Sequence, residues 1–344
     1  MKRILITGFS GFVSYYFLDY LNSSVSAHAA HEGNEGNEGN EGSEEIEVLG
    51  IDVQLPPHYA DDYHFENIKI RFLALNLLDF SALKIAVTSF APHYILHLAS
   101  LSSVGASWKD PVNCFMNNTN IFLNLVESVR ESGISCRILS VGSSEEYGNV
   151  TQSDIPLTEQ KQLHPGSPYA IARVSQEMLS QCYVASMGLD IVLTRSFNHI
   201  GPRQKDIFVV PSFVRQILDG IAAGKQTVAL STGNLAIVRD FLDVRDVVRA
   251  YHALLTKGRK GELYNVCSGN GHTLQYILET IAELAGVTVS PSVDPGKIRP
   301  SDNMIIIGDN TKLRTETGWE PAYTLRQTLE DMLRYGREQQ RVQK

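Results

Sequence analysis

The sequence predicts an α/β fold: an open, doubly wound parallel sheet followed by a smaller mixed α/β lobe. Three observations predict it. Short, continuous apolar runs alternate with helix-length segments up to about residue 200. The first run leads into TGFSGFVS (7–14), a glycine turn that opens a helix. After residue 200 the alternation gives way to helices mixed with short strands. Strands buried on both faces read as unbroken apolar runs, and helical spacers between them argue for parallel βαβ units.

The expected strands are RILIT (3–7), IEVLGID (46–52), IRFLAL (70–75), YILHLAS (94–100), RILSVGS (137–143) and IVLTRSF (191–197). Between them, helices are expected over 12–21, 79–89, 112–132 and 168–187. Past residue 200, helices are expected near 208–223, 243–257, 273–286 and 323–340, with strands near 226–230 and 262–267. This divides the chain into a sheet domain over 1–200 and a second lobe over 201–344, with some later segments returning to the first domain. Residues 32–43, EGN EGN EGN EGS, form an acidic tandem repeat without apolar side chains. Such a segment cannot offset the entropy of its own ordering, so a disordered surface insertion is expected there.

The chain has 344 residues, a net charge of −8 and a pI near 5.7. That excludes an overall basic surface for nucleic acid but leaves room for local basic pockets. No apolar run is long enough to span a bilayer, and MKRILITGFSG resembles a buried strand rather than a signal peptide. Four scattered cysteines, Cys114, Cys136, Cys182 and Cys267, read as reduced core thiols of a cytoplasmic protein. No His/Cys/Asp cluster has metal-ligand spacing.

Open α/β sheets bind ligands beyond the carboxyl ends of their strands, and a lobe covering that edge would hold a second substrate. In the 7–14 turn, Gly8 allows a tight bend, and Gly11 lets backbone N–H groups approach a pyrophosphate at the helix N-terminus. Ser14 stands where the dinucleotide fingerprint has its third glycine. Asp52 ends the second strand, where a carboxylate accepts ribose hydroxyls and repels a 2′-phosphate. NAD(H) is therefore favoured, with NADP(H) also admitted. Asn76 suits the adenine edge, and Leu98, Ala99 and Ser100 follow the fourth strand near the expected pyrophosphate and ribose.

SPYAIAR (167–173) places Tyr169 and Arg173 four positions apart, on one face of a helix. A tyrosine is a poor proton-transfer group at neutral pH unless a fixed cation favours its phenolate. VGSSEEYG (141–148) leaves the fifth strand with two hydroxyls and two carboxylates. A serine that holds a carbonyl, a tyrosine that moves its proton and a nearby cation suit carbonyl–alcohol interconversion with a dinucleotide. Asn198, Arg239 and Arg299 are candidates for a nucleotide diphosphate, since arginine forks match phosphate oxygens. Asp302 is placed to orient Arg299 or to bind a ribose hydroxyl. His199 reads as a structural histidine rather than a base.

TGxxGF, HLAS, SSEEYG and Tyr-x-x-x-cation, in this order, resemble the extended short-chain dehydrogenase/reductase superfamily. SFNHIGPRQ (196–204), GNLAIVRDFLDVRD (233–246), LYNVCSG (263–269) and KIRPSD (297–302) narrow the likeness to its nucleotide-sugar enzymes. Within these the chain is similar to the GDP-4-keto-6-deoxy-D-mannose reductase and GDP-mannose 4,6-dehydratase group. The resemblance implies a Rossmann-type sheet and a dinucleotide held by Gly8, Ser10, Gly11, Phe12, Val13, Asp52, Asn76, Leu77, Leu98, Ala99, Ser100, Tyr169 and Arg173.

The resemblance further implies that Ser143 holds the substrate carbonyl with Ser144 beside it, that Tyr169 moves the proton, and that Arg173 replaces the family's lysine. Glu145 matches the carboxylate that dehydratases use as a base. A GDP-linked sugar nucleotide as substrate, reduction at its C4 carbon and a homodimer are further implications. Two alternatives stay open: a GDP-mannose 4,6-dehydratase using Glu145, or another nucleotide-sugar epimerase or dehydratase; and, because of Ser14 and Arg173, a protein that binds dinucleotide or sugar nucleotide without turnover.

Overall fold

The structure, a computed structural model, describes residues 1–32, 45–56, 59, 63–298 and 303–342. Arg299, Asp302 and the expected insertion beyond Glu32 lie outside the described residues. The chain forms two compact units. One comprises Met1–Glu146, Ser167–Arg195 and Val248–Tyr264; the other comprises Tyr147–Gly166, Ser196–Val247 and Asn265–Lys344. The first crossing between units thus falls at 146/147, well before residue 200.

The first unit is built on β1 (Lys2–Thr7), α1 (Phe12–Glu32), β2 (Ile46–Asp52), β3 (Ile68–Ala74), α2 (Phe80–Phe90) and β4 (Tyr94–His97). It continues with α3 (Val104–Lys109), α4 (Pro111–Ser132), β5 (Arg137–Ser143), α5 (Pro168–Met187) and β6 (Asp190–Ser196). The seven-stranded sheet runs β10-β6-β5-β4-β1-β2-β3, with β10 (Leu263–Val266) as its last strand. β1 pairs in parallel with both β2 and β4, so the winding direction reverses between β1 and β4. A crevice for ligands opens at such a reversal.

Helix spacing explains the packing. Ile121, Phe122, Leu125, Val126 and Val129 of α4 recur at three- and four-residue intervals and bury one stripe. They meet Leu83, Val87 and Phe90 of α2 and the strand residues Leu5, Ile51, Ile95, Ile138 and Leu193. The first helix runs to Glu32, well past the expected end at residue 21. The serines after Leu21 have modest helix propensity, and the helix continues through them with one local side-chain bond and one to a distant segment. Ser24 Oγ donates to the Tyr20 carbonyl at 2.8 Å, and Asn22 Oδ1 accepts from Asn67 N–H at 2.9 Å.

The second unit contains β7 (Asn198–Ile200), α6 (Val209–Ala222), β8 (Thr227–Thr232) and β9 (Val238–Asp243), after which α7 (Val244–Lys257) leads back toward the first. It resumes with β11 (Gly271–Thr273), α8 (Leu274–Ala285), β12 (Thr288–Val293), β13 (Ile305–Ile306), α9 (Thr311–Thr317) and α10 (Leu325–Val342). Phe213, Val214 and Ile217 of α6, Ile277 and Ile281 of α8, and Leu329, Met332 and Leu333 of α10 form its core. Strand β9 was not expected, because Arg239 and Asp240 break its apolar run. Both are nonetheless buried, satisfied by hydrogen bonds from within the unit.

Cys114, Cys136 and Cys267 are buried as expected of core thiols, whereas Cys182 is exposed on α5. Burial pushes the Cys136 thiol up to about 12, which suppresses its thiolate. Among the described residues no helix is long and apolar enough to cross a membrane.

Candidate active site

The turn after β1 has no room for side chains at its first glycine. Gly8 has φ +71°, and a Cβ there would lie 2.6 Å from the Ala99 nitrogen. The close approach of Gly8 to Leu98 and Ala99 is fixed by Leu98 N–H donating to the Thr7 carbonyl at 3.1 Å. Gly11 N–H closes the turn on the Gly8 carbonyl at 3.0 Å, and α1 starts one residue later. Backbone at the start of a 21-residue helix is thereby presented at the sheet's reversal point. That arrangement fits the pyrophosphate of a dinucleotide. Ser14 is fully buried, its Oγ without a hydrogen-bond partner among the described residues, so it fills the third-glycine position as a small packing residue.

Asp52 is locked to this turn. Its Oδ2 accepts from Ser10 N–H at 2.9 Å and its Oδ1 from Val53 N–H at 2.7 Å. A carboxylate retains further lone pairs for ribose hydroxyls after these two bonds. Ser10 Oγ donates to the Gln54 carbonyl at 2.6 Å, so Ser10 ties the turn to the segment after β2. Val13 and Leu77 are buried, and Phe12 is partly buried. Asn76 is exposed, and its Oδ1 accepts from Leu78 N–H at 3.0 Å. His97 is fully buried, shares a 2.8 Å hydrogen bond with Thr7 Oγ1, and is held neutral by burial, down to about 3.

SPYAIAR forms the start of α5 for local reasons. Ser167 Oγ caps the helix by accepting from Ala170 N–H at 3.1 Å, and Pro168 occupies the first turn, where no N–H is needed. Such a cap contributes about 1 kcal/mol. It sets Tyr169 in the first turn and Arg173 one turn on, both buried. Arg173 Nε donates to Tyr169 Oη at 3.2 Å. Arg173 Nη1 donates to the Val141 carbonyl at 3.0 Å and to Gln176 Oε1 at 2.6 Å. The guanidinium is therefore pinned to β5 two residues before Ser143. Gln176 is fixed in turn, donating to Ser140 Oγ at 2.9 Å and to the Val141 carbonyl at 3.1 Å. The sequence reading missed Gln176; its position three residues after Arg173 on the helix was the available signal.

Ser143 is the last residue of β5, and its Oγ accepts from Glu145 N–H at 3.2 Å. One lone pair is thus occupied while the hydroxyl proton stays available to donate. Ser144 is buried and Glu145 partly so, both in the 3₁₀ turn Ser144–Tyr147. The neighbouring Glu146 is fully buried, and the sequence reading assigned it no role. Two adjacent glutamates look alike in sequence; only packing separates the buried one from the accessible one.

In the second unit, β7 pairs in parallel with β9, setting Asn198 beside Phe241, two residues along from Arg239. Residues in register share a sheet face, as do residues two apart, so Asn198 and Arg239 lie on one surface. Arg239 is buried and Nη1 donates to the Asn303 carbonyl at 2.7 Å. Asp240 accepts from Ser268 N–H at 2.8 Å and Gly269 N–H at 2.9 Å, fastening the loop after β10. Burial raises Asp240 to about 6 against these bonds. His199 is held neutral by burial, at about 4.

A parallel sheet wound in both directions, a glycine turn at its reversal and a tyrosine bonded to a cation behind β5 define a dinucleotide-dependent enzyme of the extended short-chain dehydrogenase/reductase type. A family model described as GDP-mannose 4,6 dehydratase matches residues 5–332, and the chain belongs to that family. It is 35% identical, over 70% of its length and 79% of the relative's, to GDP-6-deoxy-D-mannose reductase of Pseudomonas aeruginosa. Among solved structures, RMD from Pseudomonas aeruginosa complexed with NADPH matches with a TM-score of 0.77 and 29% identity. That match covers 98% of this chain and 100% of the other. UDP-glucose 4-epimerase of Thermotoga maritima, with UDP-glucose, matches with a TM-score of 0.81 and 26% identity over 98% of this chain and 99% of its own.

Proposed function

We propose that the protein reduces the C4 keto group of GDP-4-keto-6-deoxy-D-mannose to give GDP-D-rhamnose, using NAD(P)H. The observation that carries this reading is the Tyr169–Arg173 pair fastened to the strand that ends in Ser143, in a chain similar to a GDP-6-deoxy-D-mannose reductase. Gly8, Ser10, Gly11 and the start of α1 would hold the pyrophosphate, with Asp52 at the adenosine ribose. A reduced nicotinamide bound there supplies hydride to the ketone carbon. Ser143 Oγ donates a hydrogen bond to the ketone oxygen and Tyr169 Oη gives it a proton. Arg173 stabilises the tyrosinate left behind, which solvent then reprotonates. Asn198 and Arg239, with Arg299 and Asp302, are the proposed contacts to the nucleotide diphosphate.

The direct test is an assay with GDP-4-keto-6-deoxy-D-mannose and NADH or NADPH. Oxidation of the cofactor, with a GDP-deoxyhexose product identified by mass spectrometry and NMR, is expected. Because Asp52 disfavours a 2′-phosphate, NADH is expected to be the better reductant. A dehydratase is the second reading, favoured by Glu145 on the serine turn and by the family that the chain matches. Incubation with GDP-mannose and no added reductant separates the two: a 4-keto-6-deoxy product would favour the lyase over the reductase.

A homodimer is part of the same reading. Val112, Phe115 and Met116 on α4 recur at helical spacing and are exposed, as are Ile171 and Met178 on the adjacent α5. An apolar face across two neighbouring helices suits a second copy of the chain. Sedimentation is expected to show a dimer that Phe115→Glu/Met178→Glu converts to monomer; an unchanged sedimentation coefficient in the double variant would reject this face.

A further inference from the structure

Two carboxyl groups and one guanidinium lie buried behind the serine turn. Glu177 on α5 takes both arms of Arg195 from β6, at 2.7 and 2.9 Å. Glu146 is left with an Arg195 nitrogen at 3.8 Å, beyond hydrogen-bond length. Glu146 Oε1 accepts from the backbone N–H of Ser143 at 2.6 Å, and Oε2 has no hydrogen-bond partner among the described residues. Two ionised carboxylates here would leave a net negative charge away from water, which is far costlier than a lost hydrogen bond. Gly142 makes the arrangement sterically possible: a Cβ there would lie 2.4 Å from Glu146 Oε1 and 2.4 Å from the Thr194 carbonyl.

We propose that Glu146 is a positioning residue for Ser143: a neutral carboxylic acid that shares one proton with Glu177 across Arg195 and anchors the backbone of the serine turn. The anchoring role rests on the reductase reading above; the protonation does not. The carbonyl oxygen of the acid accepts Ser143 N–H, while its O–H serves the Glu177 side. One proton on the pair leaves one negative charge against the Arg195 guanidinium, so the cluster is neutral. The charged groups that face Glu146 are Glu177 from α5 and Arg195 from β6, with the Ser143 N–H dipole from β5. Burial first, then the Glu177 charge, push Glu146 well above the ordinary carboxylate range; Ser143 N–H and Arg195 act in the opposite direction. The folded protein therefore holds this proton more tightly than the unfolded chain. The associated stability is complete below the unfolded value of about 4.3 and is lost as pH rises through the folded value.

The experiment compares Glu146→Gln, Glu146→Asp and Glu146→Leu with the wild-type protein. Glutamine keeps the acceptor and the donor of the neutral acid. Thermal unfolding of wild-type protein is expected to fall behind that of Glu146→Gln by several degrees as pH rises from about 5 to about 8. An infrared difference spectrum at neutral pH is expected to show one protonated-carboxyl band that Glu146→Gln removes. A pH-independent difference in unfolding, or no such band, overturns the neutral acid.

For the anchoring role, hydrogen exchange over residues 142–147 is expected to speed up in Glu146→Asp and Glu146→Leu and to be restored in Glu146→Gln. In parallel, Glu146→Asp is expected to lower kcat by about 10- to 100-fold with KM within about threefold, and Glu146→Gln to recover most of that loss. Unchanged exchange in Glu146→Asp overturns the positioning role whether or not the protein reduces a sugar. If the leucine variant does not fold, the aspartate and glutamine variants decide. A wild-type protein that turns over no nucleotide sugar removes the reductase reading and leaves the exchange, infrared and unfolding results to judge Glu146.

Discussion

Tyr169→Phe is expected to lower kcat for the keto sugar by about 10²–10⁴-fold, the usual contribution of a positioned proton donor. Dinucleotide binding, followed by fluorescence, should survive, because the turn at Gly8 and Gly11 is built without this residue. The fold should survive as well. The hydroxyl accepts one hydrogen bond from Arg173, and the ring packs in the first turn of α5 whether or not the oxygen is present. Phenylalanine thus removes the proton and little else. Retention of more than about a tenth of wild-type turnover would mean that another group delivers the proton, and the role given to Tyr169 would have to be withdrawn.

Arg173 carries the second large expectation. Arg173→Leu removes the cation beside Tyr169 and strips a donor from the Val141 carbonyl and from Gln176 Oε1. The Val141 carbonyl keeps the Gln176 amide as donor, but Gln176 Oε1 is left unpaired at a cost of about 1–3 kcal/mol, so unfolding temperature should drop along with turnover. The turnover loss is expected at about 10²–10³-fold, as for removal of a group that stabilises charge developing in the reaction. Arg173→Lys is the sharper experiment. Lysine supplies the charge as a compact point, whereas the guanidinium reaches Tyr169 through Nε and both Val141 and Gln176 through Nη1. A loss of about tenfold, near 1.4 kcal/mol, is therefore expected. Higher turnover in Arg173→Lys would mark the arginine as a lesion and favour the reading of a binding protein with impaired chemistry.

The contrast between Glu145 and Glu146 shows how legibility varies along one motif. The motif itself, SSEEYG at the end of an apolar run, was visible, and so was the likeness that pointed to Glu145. The exclusion of Glu146 from water was not. It requires the helix carrying Glu177 and the strand carrying Arg195 to arrive from 31 and 49 positions away, and nothing within the motif encodes their approach. Arg239 and Asp240 repeat the lesson on β9. Two charges in a row argue against a buried strand, and the strand forms because carbonyl and N–H groups from Asn303, Ser268 and Gly269 satisfy both.

What the sequence determined by itself is the set of features whose physics is local. Unbroken apolar runs marked six of the sheet strands, a serine and a proline marked the start of α5, and a spacing of four put Tyr169 and Arg173 on one face. Each depends on neighbours within a turn or two, where steric limits and side-chain periodicity act directly. Tertiary structure alone decided that Arg173 is fastened to Val141, that Asp52 is tied to Ser10, and that Glu146 is sealed away with Glu177 and Arg195. Those outcomes turn on desolvation. The cost of removing a polar group from water, and the partner that offsets it, are set only when distant segments close around it.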